Sequence, residues 1–311
     1  MKKYISGLLV LIAGFAFSQT ILNAASPEEF RKLQKDDMRI VGDSMVSNKI
    51  TPLKYGYVDE KDIRKSVYVW EIVDLNDKIN QPFYYNLKDG FSGQTKSLYQ
   101  ILFDGAMSGK IAEVYDDENF TRRLTPVEIE KRLTTTRVSD VLIDIINSSK
   151  TPTAEEIKAG TDVYVTDSRN VKLLKIMGMW YIDIRDGQMK YRPLGIAAMG
   201  PDPATAGQFG PDGLPIAGAN DLIDLFWVFY PDARELLANS AVYNKGNASS
   251  NINFDDLLNA RRFSSIIYKS SAGNGDGKVA DYIPKNAADQ IEESNRIKAE
   301  ILTMENEMWN Y

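Results

Sequence analysis

The sequence predicts an α+β fold: two similar units of short strands with helices, a central β-hairpin and a helix at the C-terminus. Three observations lead there. Runs at 67–73 and 171–184 are rich in β-branched and aromatic residues, the composition of strands. Stretches at 97–108 and 285–311 carry apolar residues at helical spacing. Asp186-Gly187 stands between two apolar runs and is the strongest short hairpin signal in the chain.

The first eighteen residues have the pattern of an export signal. Lys2 and Lys3 precede a short apolar run, and Ala16-Phe17-Ser18 offers small residues for cleavage before Gln19. The rival reading is an uncleaved N-terminal anchor, but the run is short for a bilayer, which needs about 18–20 apolar residues. Residues 19–60, with Pro27, Pro52 and Gly56, are expected to form an extended arm that orders against a neighbour.

A first α+β unit is expected over 61–150. Trp70 lies in its aromatic strand, a charged stretch from Asp74 to Asn80 follows, Pro82 breaks it, and Phe83-Tyr84-Tyr85 is aromatic again. Leu98, Ile101, Leu102 and Ala106 mark a helix. Thr125 is placed to cap a second one, with Pro126 at its first position and Glu128 three residues on. Residues 151–218 supply the hairpin and then a loop dense in glycine and proline from Gly200 to Gly218. That loop is either a free surface loop or a partner-contacting lid.

A second unit is expected over 219–311. Trp227, Tyr243, Leu257 and Pro284 repeat the order of Trp70, Tyr85, Leu98 and Pro126 at nearly the same spacing, with Tyr115 and Tyr268 in corresponding places. In the tail, Ile297, Ile301, Met304 and Met308 make one apolar stripe. It packs on its own domain or, as a candidate partner interface, against another subunit.

Composition narrows the chemistry. The chain has no cysteine and no histidine, so disulfides, Cys/His zinc sites, Ser-His-Asp triads and Cys-His nucleophiles are excluded. A lipid cannot be attached at the leader's cleavage site, so any membrane attachment falls to a partner. A net charge of −6 disfavours nucleic acid. The pairs Arg122-Arg123 and Arg261-Arg262 read as solvated helix faces. Asn274-Gly275-Asp276-Gly277 fails as a calcium loop, because Ala272 and Ile283 fall where acids are required. No cofactor is called for. With 43 acidic residues a carboxylate pair remains conceivable, but Asp74 and Asp77, or Asp116, Asp117 and Glu118, read as turns and helix starts. The main expectation is a non-catalytic assembly protein. The alternative is a periplasmic carbohydrate-binding module or a carboxylate-pair glycosidase, its groove lined by the four tryptophans and sixteen tyrosines.

The stretch from Ser66 to Tyr85 resembles the GldN/PorN family of gliding-motility and type IX secretion proteins. The resemblance rests on the tryptophan strand at Trp70, the turn at Asp74-Leu75, and Lys78-Ile79-Asn80-Gln81-Pro82 before Tyr84-Tyr85. Asp36-Asp37-Met38-Arg39, Leu98 to Gly105 and the leader are similar to the family as well. The resemblance implies a periplasmic protein that forms rings with an outer-membrane lipoprotein of the GldK/PorK type and meets a motor protein of the GldM/PorM type. It supplies no binding residues.

Overall fold

The computed structural model describes residues 38–41, 44–47, 50–84, 96–148, 151–206, 208, 216–218, 221–242, 252–272, 277–284 and 286–308. The expected leader, most of the arm, Tyr85, Tyr243, Trp309, residues 274–276 and part of the glycine-proline loop lie outside them. The chain divides into two compact units, residues 1–51 and 52–311. In the first, β1 (Met38–Val41) pairs antiparallel with β2 (Ser44–Ser47).

In the second, residues 52–59 run without regular structure to a 3-10 turn at Glu60–Asp62, and β3 (Ile63–Asp74) follows. After it come α1 (Gln81–Tyr84), α2 (Leu98–Met107), β4 (Val114–Tyr115), β5 (Arg123–Leu124) and α3 (Pro126–Leu133). Next are β6 (Thr134–Val138), α4 (Asp140–Asn147), α5 (Ala154–Ala159) and β7 (Thr161–Val165). The long hairpin is β8 (Leu173–Asp183) and β9 (Gln188–Pro201). The chain closes with β10 (Leu222–Phe229), α6 (Tyr230–Ala238), α7 (Phe254–Asn259), β11 (Ile266–Ser270), α8 (Val279–Tyr282) and α9 (Ala287–Met308).

Local chemistry explains several of these boundaries. Gly187 has φ of +63°, which only glycine adopts at little cost, and it turns β8 into β9 with Asp183 opposite Gln188. Thr125 accepts from the Glu128 amide at 3.3 Å, and the Glu128 carboxylate accepts from the Thr125 amide at 2.8 Å. That reciprocal cap starts α3 where the sequence predicts it.

Seven strands form one antiparallel sheet in the order β11-β3-β8-β9-β10-β4-β5. The two expected units share it. β3–α1–α2–β4 and β10–α6–α7–β11 follow the same order of elements, and each sends its last strand to the other's first. Thus β4 pairs with β10, and β11 pairs with β3. The β8–β9 hairpin stands between β3 and β10, on the axis of this pseudo-symmetry. Such an exchange closes the sheet around contacts far apart in sequence.

One face of the sheet carries Val73, Leu174, Ile176, Ile196, Phe226 and Val228, buried with Leu98 and Leu102 of α2, Leu237 of α6 and Leu258 of α7. Toward the other end of β3, Val67 and Val69 pack with Ile182, Ile267 and α9. Each such side chain contributes about 1.5–3 kcal/mol when fully buried. The tail stripe belongs here: Ile297, Ile301 and Met304 are 2, 4 and 8 % exposed. An aspartate at Ile301 would place a carboxylate in this core. We expect Ile301→Asp to lower the urea midpoint by the equivalent of about 3 kcal/mol or more, or to prevent folding. Unchanged stability would contradict the packing.

Candidate functional site

β3 brings a carboxylate into the covered face of the sheet. Glu71 lies among Val67, Val69 and Val73 and is fully buried. A lone charge there would be costly, so the strand requires a partner. Arg261 supplies it with two parallel bonds, Nη1 to Oε2 at 2.8 Å and Nη2 to Oε1 at 2.7 Å. The Ser265 hydroxyl donates to Oε1 at 2.8 Å. The guanidinium also lies 4.2 Å from the Tyr191 ring centre and 5.1 Å from that of Trp180. Burial opposes its charge, but the bonds to Glu71 raise its affinity for the proton above the ordinary value. Arg261 adopts φ of +50°, an uncommon conformation for a side chain of this size. The expectation of a solvated Arg261 is therefore corrected, while Arg122 and Arg123 remain exposed. A glutamate inside Val67–Val73 was the sequence signal for a buried cation, though nothing in the sequence named Arg261.

The motif residues converge on the same segment. Asn80 is fully buried and donates to the carbonyls of Asp74 at 2.8 Å and Ser264 at 2.9 Å. Its own oxygen accepts from the Ser264 amide at 2.9 Å. The Asp74 carboxylate caps the turn by accepting from the Asn76 amide at 2.9 Å. Leu75 is buried in the main core, and Pro82 lies in α1 ahead of Phe83, whose ring packs on Phe254 and Phe263. Tyr84 is partly buried against the same core. On the other side, the Ile267 amide donates to Ser294 at 2.8 Å and Lys298 donates to the Ser265 carbonyl, which ties α9 down. Burial pushes the Lys298 ammonium below its ordinary pKa, partly offset by Glu71.

The stripe offered as a candidate partner surface is thus spent inside the chain, apart from Met308, whose side chain lies outside the described residues. Any contact made by the outer side of α9 falls to exposed residues such as Ile291 and Leu302. A second buried pair, Arg234 and Asp255 with bonds of 3.0 and 2.9 Å, joins α6 to α7. Tyr55, from the segment before β3, lies between Arg234 and Arg192, whose guanidinium carbons are 4.0 and 4.5 Å from its ring centre. Residues 52–59 therefore hold to the second unit through stacked cations.

The acids weighed for chemistry have structural partners. Asp116 pairs with Arg122 and Arg132. Asp117 accepts from the Thr121 amide at 2.9 Å and the Arg122 amide at 3.1 Å. Glu118 crosses to Lys269 at 2.7 Å and accepts from the Tyr268 hydroxyl at 3.1 Å. No group of three or more acidic side chains suited to a metal occurs among the described residues. On this second face of the sheet, Trp70, Tyr115, Ala197 and Trp227 are buried together, with Phe120, Phe229 and Tyr268 against them. The structure thus gathers Trp70 and Trp227 of the predicted repeat, with its Tyr115 and Tyr268, into one cluster.

The family description "Gliding motility associated protein GldN" matches residues 58–310, which include the whole seven-stranded sheet and the motif. The chain belongs to the GldN family. No curated protein matches it in sequence. It is accordingly a component of the gliding-motility and type IX secretion machinery of the cell envelope. None of the described helices is long and apolar enough to cross a membrane.

This GldN protein also presents an aliphatic surface that sequence reading missed. β6 and β7 form a two-stranded ribbon in which Val165, Val163 and Thr161 oppose Thr134, Thr136 and Val138. Directly opposed residues share a face, so one side of the ribbon is uniformly Val and Thr. Val138, Val163 and Val165 are exposed there, as are Val141, Ile143 and Ile146 on α4 and Ile157 on α5. The expected boundary at 150/151 falls between α4 and α5, within this layer. Neither strand of this ribbon is among the elements expected from the sequence.

Two tests follow for the site. Asn80→Ala removes three bonds at once, those to the Asp74 and Ser264 carbonyls and the one from the Ser264 amide. It should cost about 2–4 kcal/mol in urea denaturation, and a loss below about 1 kcal/mol would show that the bolt is dispensable. The second test is pH. Bonds from Arg185 and Lys190 hold Asp183 well below the usual carboxylate range, and the Arg296 bonds lower Glu293. Burial pushes Asp117 up, but the Arg122 and Thr121 donors outweigh it. Depressed carboxylates stabilise the fold above their unfolded pKa of about 4, and that contribution is lost as pH falls through the folded values. With no histidine or cysteine, the urea midpoint should stay flat from about pH 5.5 to 8 and decline below about pH 4. A decline already under way at pH 6 would contradict this.

Proposed function

We propose that this GldN protein is a structural, non-catalytic element on the periplasmic side of the machinery. It forms a ring with an outer-membrane lipoprotein of the GldK/PorK type and contacts the periplasmic part of a motor protein of the GldM/PorM type. The observation that carries the reading is the exposed Val/Thr side of the β6–β7 ribbon, with Val138, Val163 and Val165 on it. Contiguous exposed apolar surface marks an interaction site, because leaving it in water forgoes about 25 cal/mol for each Å² that a partner could cover. Charged residues nearby, including Asp144, Glu155 and Lys158, provide the polar rim expected around such a patch.

The chain's chemistry supports the same division of labour. Export would be directed by residues 1–18, and the absence of cysteine leaves no residue to carry a lipid at the cleavage site. Attachment to the outer membrane then comes from the lipoprotein. The sheet, locked by buried ion pairs, acts as a stiff body that transmits force between neighbours instead of deforming.

The experiment is Val163→Glu with Val165→Glu. Both side chains are more than half exposed, so the cost in stability should be about 1 kcal/mol or less. Co-purification with the lipoprotein should fall at least tenfold, and the large assembly should be replaced by smaller species in sedimentation. An intact assembly with this variant would rule out the layer as the contact.

A further inference from the structure

The second face of the sheet is roofed by the chain's own β4–β5 loop, and the way the loop is held defines a recognition site. β9 carries Gly195 and Ala197 on this face, between the indoles of Trp70 and Trp227, which leaves a hollow. Phe120 fills it. A Cβ at Gly195 would come within 2.7 Å of the Phe120 ring, so only glycine admits it. The ring meets Tyr115 and Phe229 edge-on at 5.3 and 5.4 Å. From the same loop, Glu118 reaches Lys269 on β11 at 2.7 Å. β4 and β11 are five strand steps apart in the sheet, about 24 Å if it were flat. The loop therefore lies across the face, with its carboxylate and aromatic anchored at separate points.

Two features show that this occupant fits imperfectly. The Trp70 indole Nε1 is buried and finds no acceptor among the described residues, although Lys269 lies 4.2 Å from the ring centre. Such an unpaired donor costs about 1–3 kcal/mol. Phe120 itself is held at φ of +57°, a strained conformation for an aromatic residue.

We infer that the face of the sheet between Lys269 and Gly195 is a recognition site for a partner peptide carrying a carboxylate two residues before an aromatic, occupied in cis by Glu118 and Phe120. The cis segment displays the chemistry that the site accepts. A partner whose backbone carbonyl also reached Trp70 Nε1 would gain a bond that the loop does not make, the differential free energy needed to displace it. The loop competes at the high effective concentration of a tethered ligand, which keeps the site closed until a better-fitting partner arrives. The site uses none of the residues of the aliphatic layer over 134–165 and does not depend on which partner covers that layer.

The test uses the full chain with Glu118→Ala and Phe120→Ala, which empties the site, and a blocked synthetic peptide copying residues 116–121 as the probe. Indole fluorescence should show saturable binding to the emptied protein and at least tenfold weaker binding to the intact one. Binding should disappear when the peptide's phenylalanine is replaced by alanine, and when Lys269→Met is added to the emptied protein. No saturable binding, or binding indifferent to Lys269, would overturn the inference. Association of emptied with intact protein in place of peptide binding would overturn it too, since the site would then serve loop exchange between copies. If the double variant does not fold, Glu118→Gln alone is measured by hydrogen exchange. The amides of residues 118–121 should then exchange at least tenfold faster than in the unaltered protein, and unchanged protection would refute the cis latch.

Discussion

The fold hangs on the attachment of residues 261–267 to β3 and the turn beyond it. Arg261 and Ser265 satisfy Glu71, Ser264 is bonded twice with Asn80, and Ile267 and Ser265 receive α9. The contacts to Glu71 and Asn80 join parts of the chain 184 to 194 residues apart. They place a buried ion pair where apolar residues of similar volume could give equal stability. What the pair adds is definition: Arg261 and Ser265 meet Glu71 in one geometry, so β11 cannot slide along β3 without leaving a charge unpaired. A bulge between Ile267 and Lys269 in that pairing is held in place by the same bonds.

With β11 fixed, the exchanged arrangement of the two units follows. Each unit closes the other's edge, and the β8–β9 hairpin lies between them. One face of the sheet is then covered by α2, α6, α7 and α9. Among the described residues, the other is covered by long side chains and the β4–β5 loop. This asymmetry makes the two faces different in kind, a rigid core on one and a shallow aromatic surface on the other. The β6–α4–α5–β7 segment is an insertion between α3 and β8, and its two strands pair with each other and not with the seven-stranded sheet.

Local signals were legible where the chemistry is local. The glycine at 187, the reciprocal cap at Thr125 and Glu128, and the helical spacing of Leu98, Ile101 and Leu102 each act within a few residues, and each formed the element that they indicate. The motif around Asn80 identified the family, yet its physical task was hidden because its partner Ser264 lies far along the chain. Arg261 was misjudged for the same reason: beside Arg262 it looks like solvated surface, and only β3 reveals the carboxylate that buries it. The layer over 134–165 escaped because its valines alternate with Thr, Asp and Arg, a pattern that does not tell an exposed apolar face from a buried one.

By itself the sequence determined the fold class, the family, the hairpin, the main helices and the exclusion of cysteine and histidine chemistry. These are properties of composition and of short-range spacing, which the chain carries in any conformation. The order of strands, the exchange between the two units, the burial of the tail stripe and the closing of the aromatic face by Phe120 were decided only in three dimensions. Each depends on which distant residue satisfies a buried charge or fills a hollow. Such choices are made by packing and desolvation across the whole molecule, and no window along the sequence contains both partners.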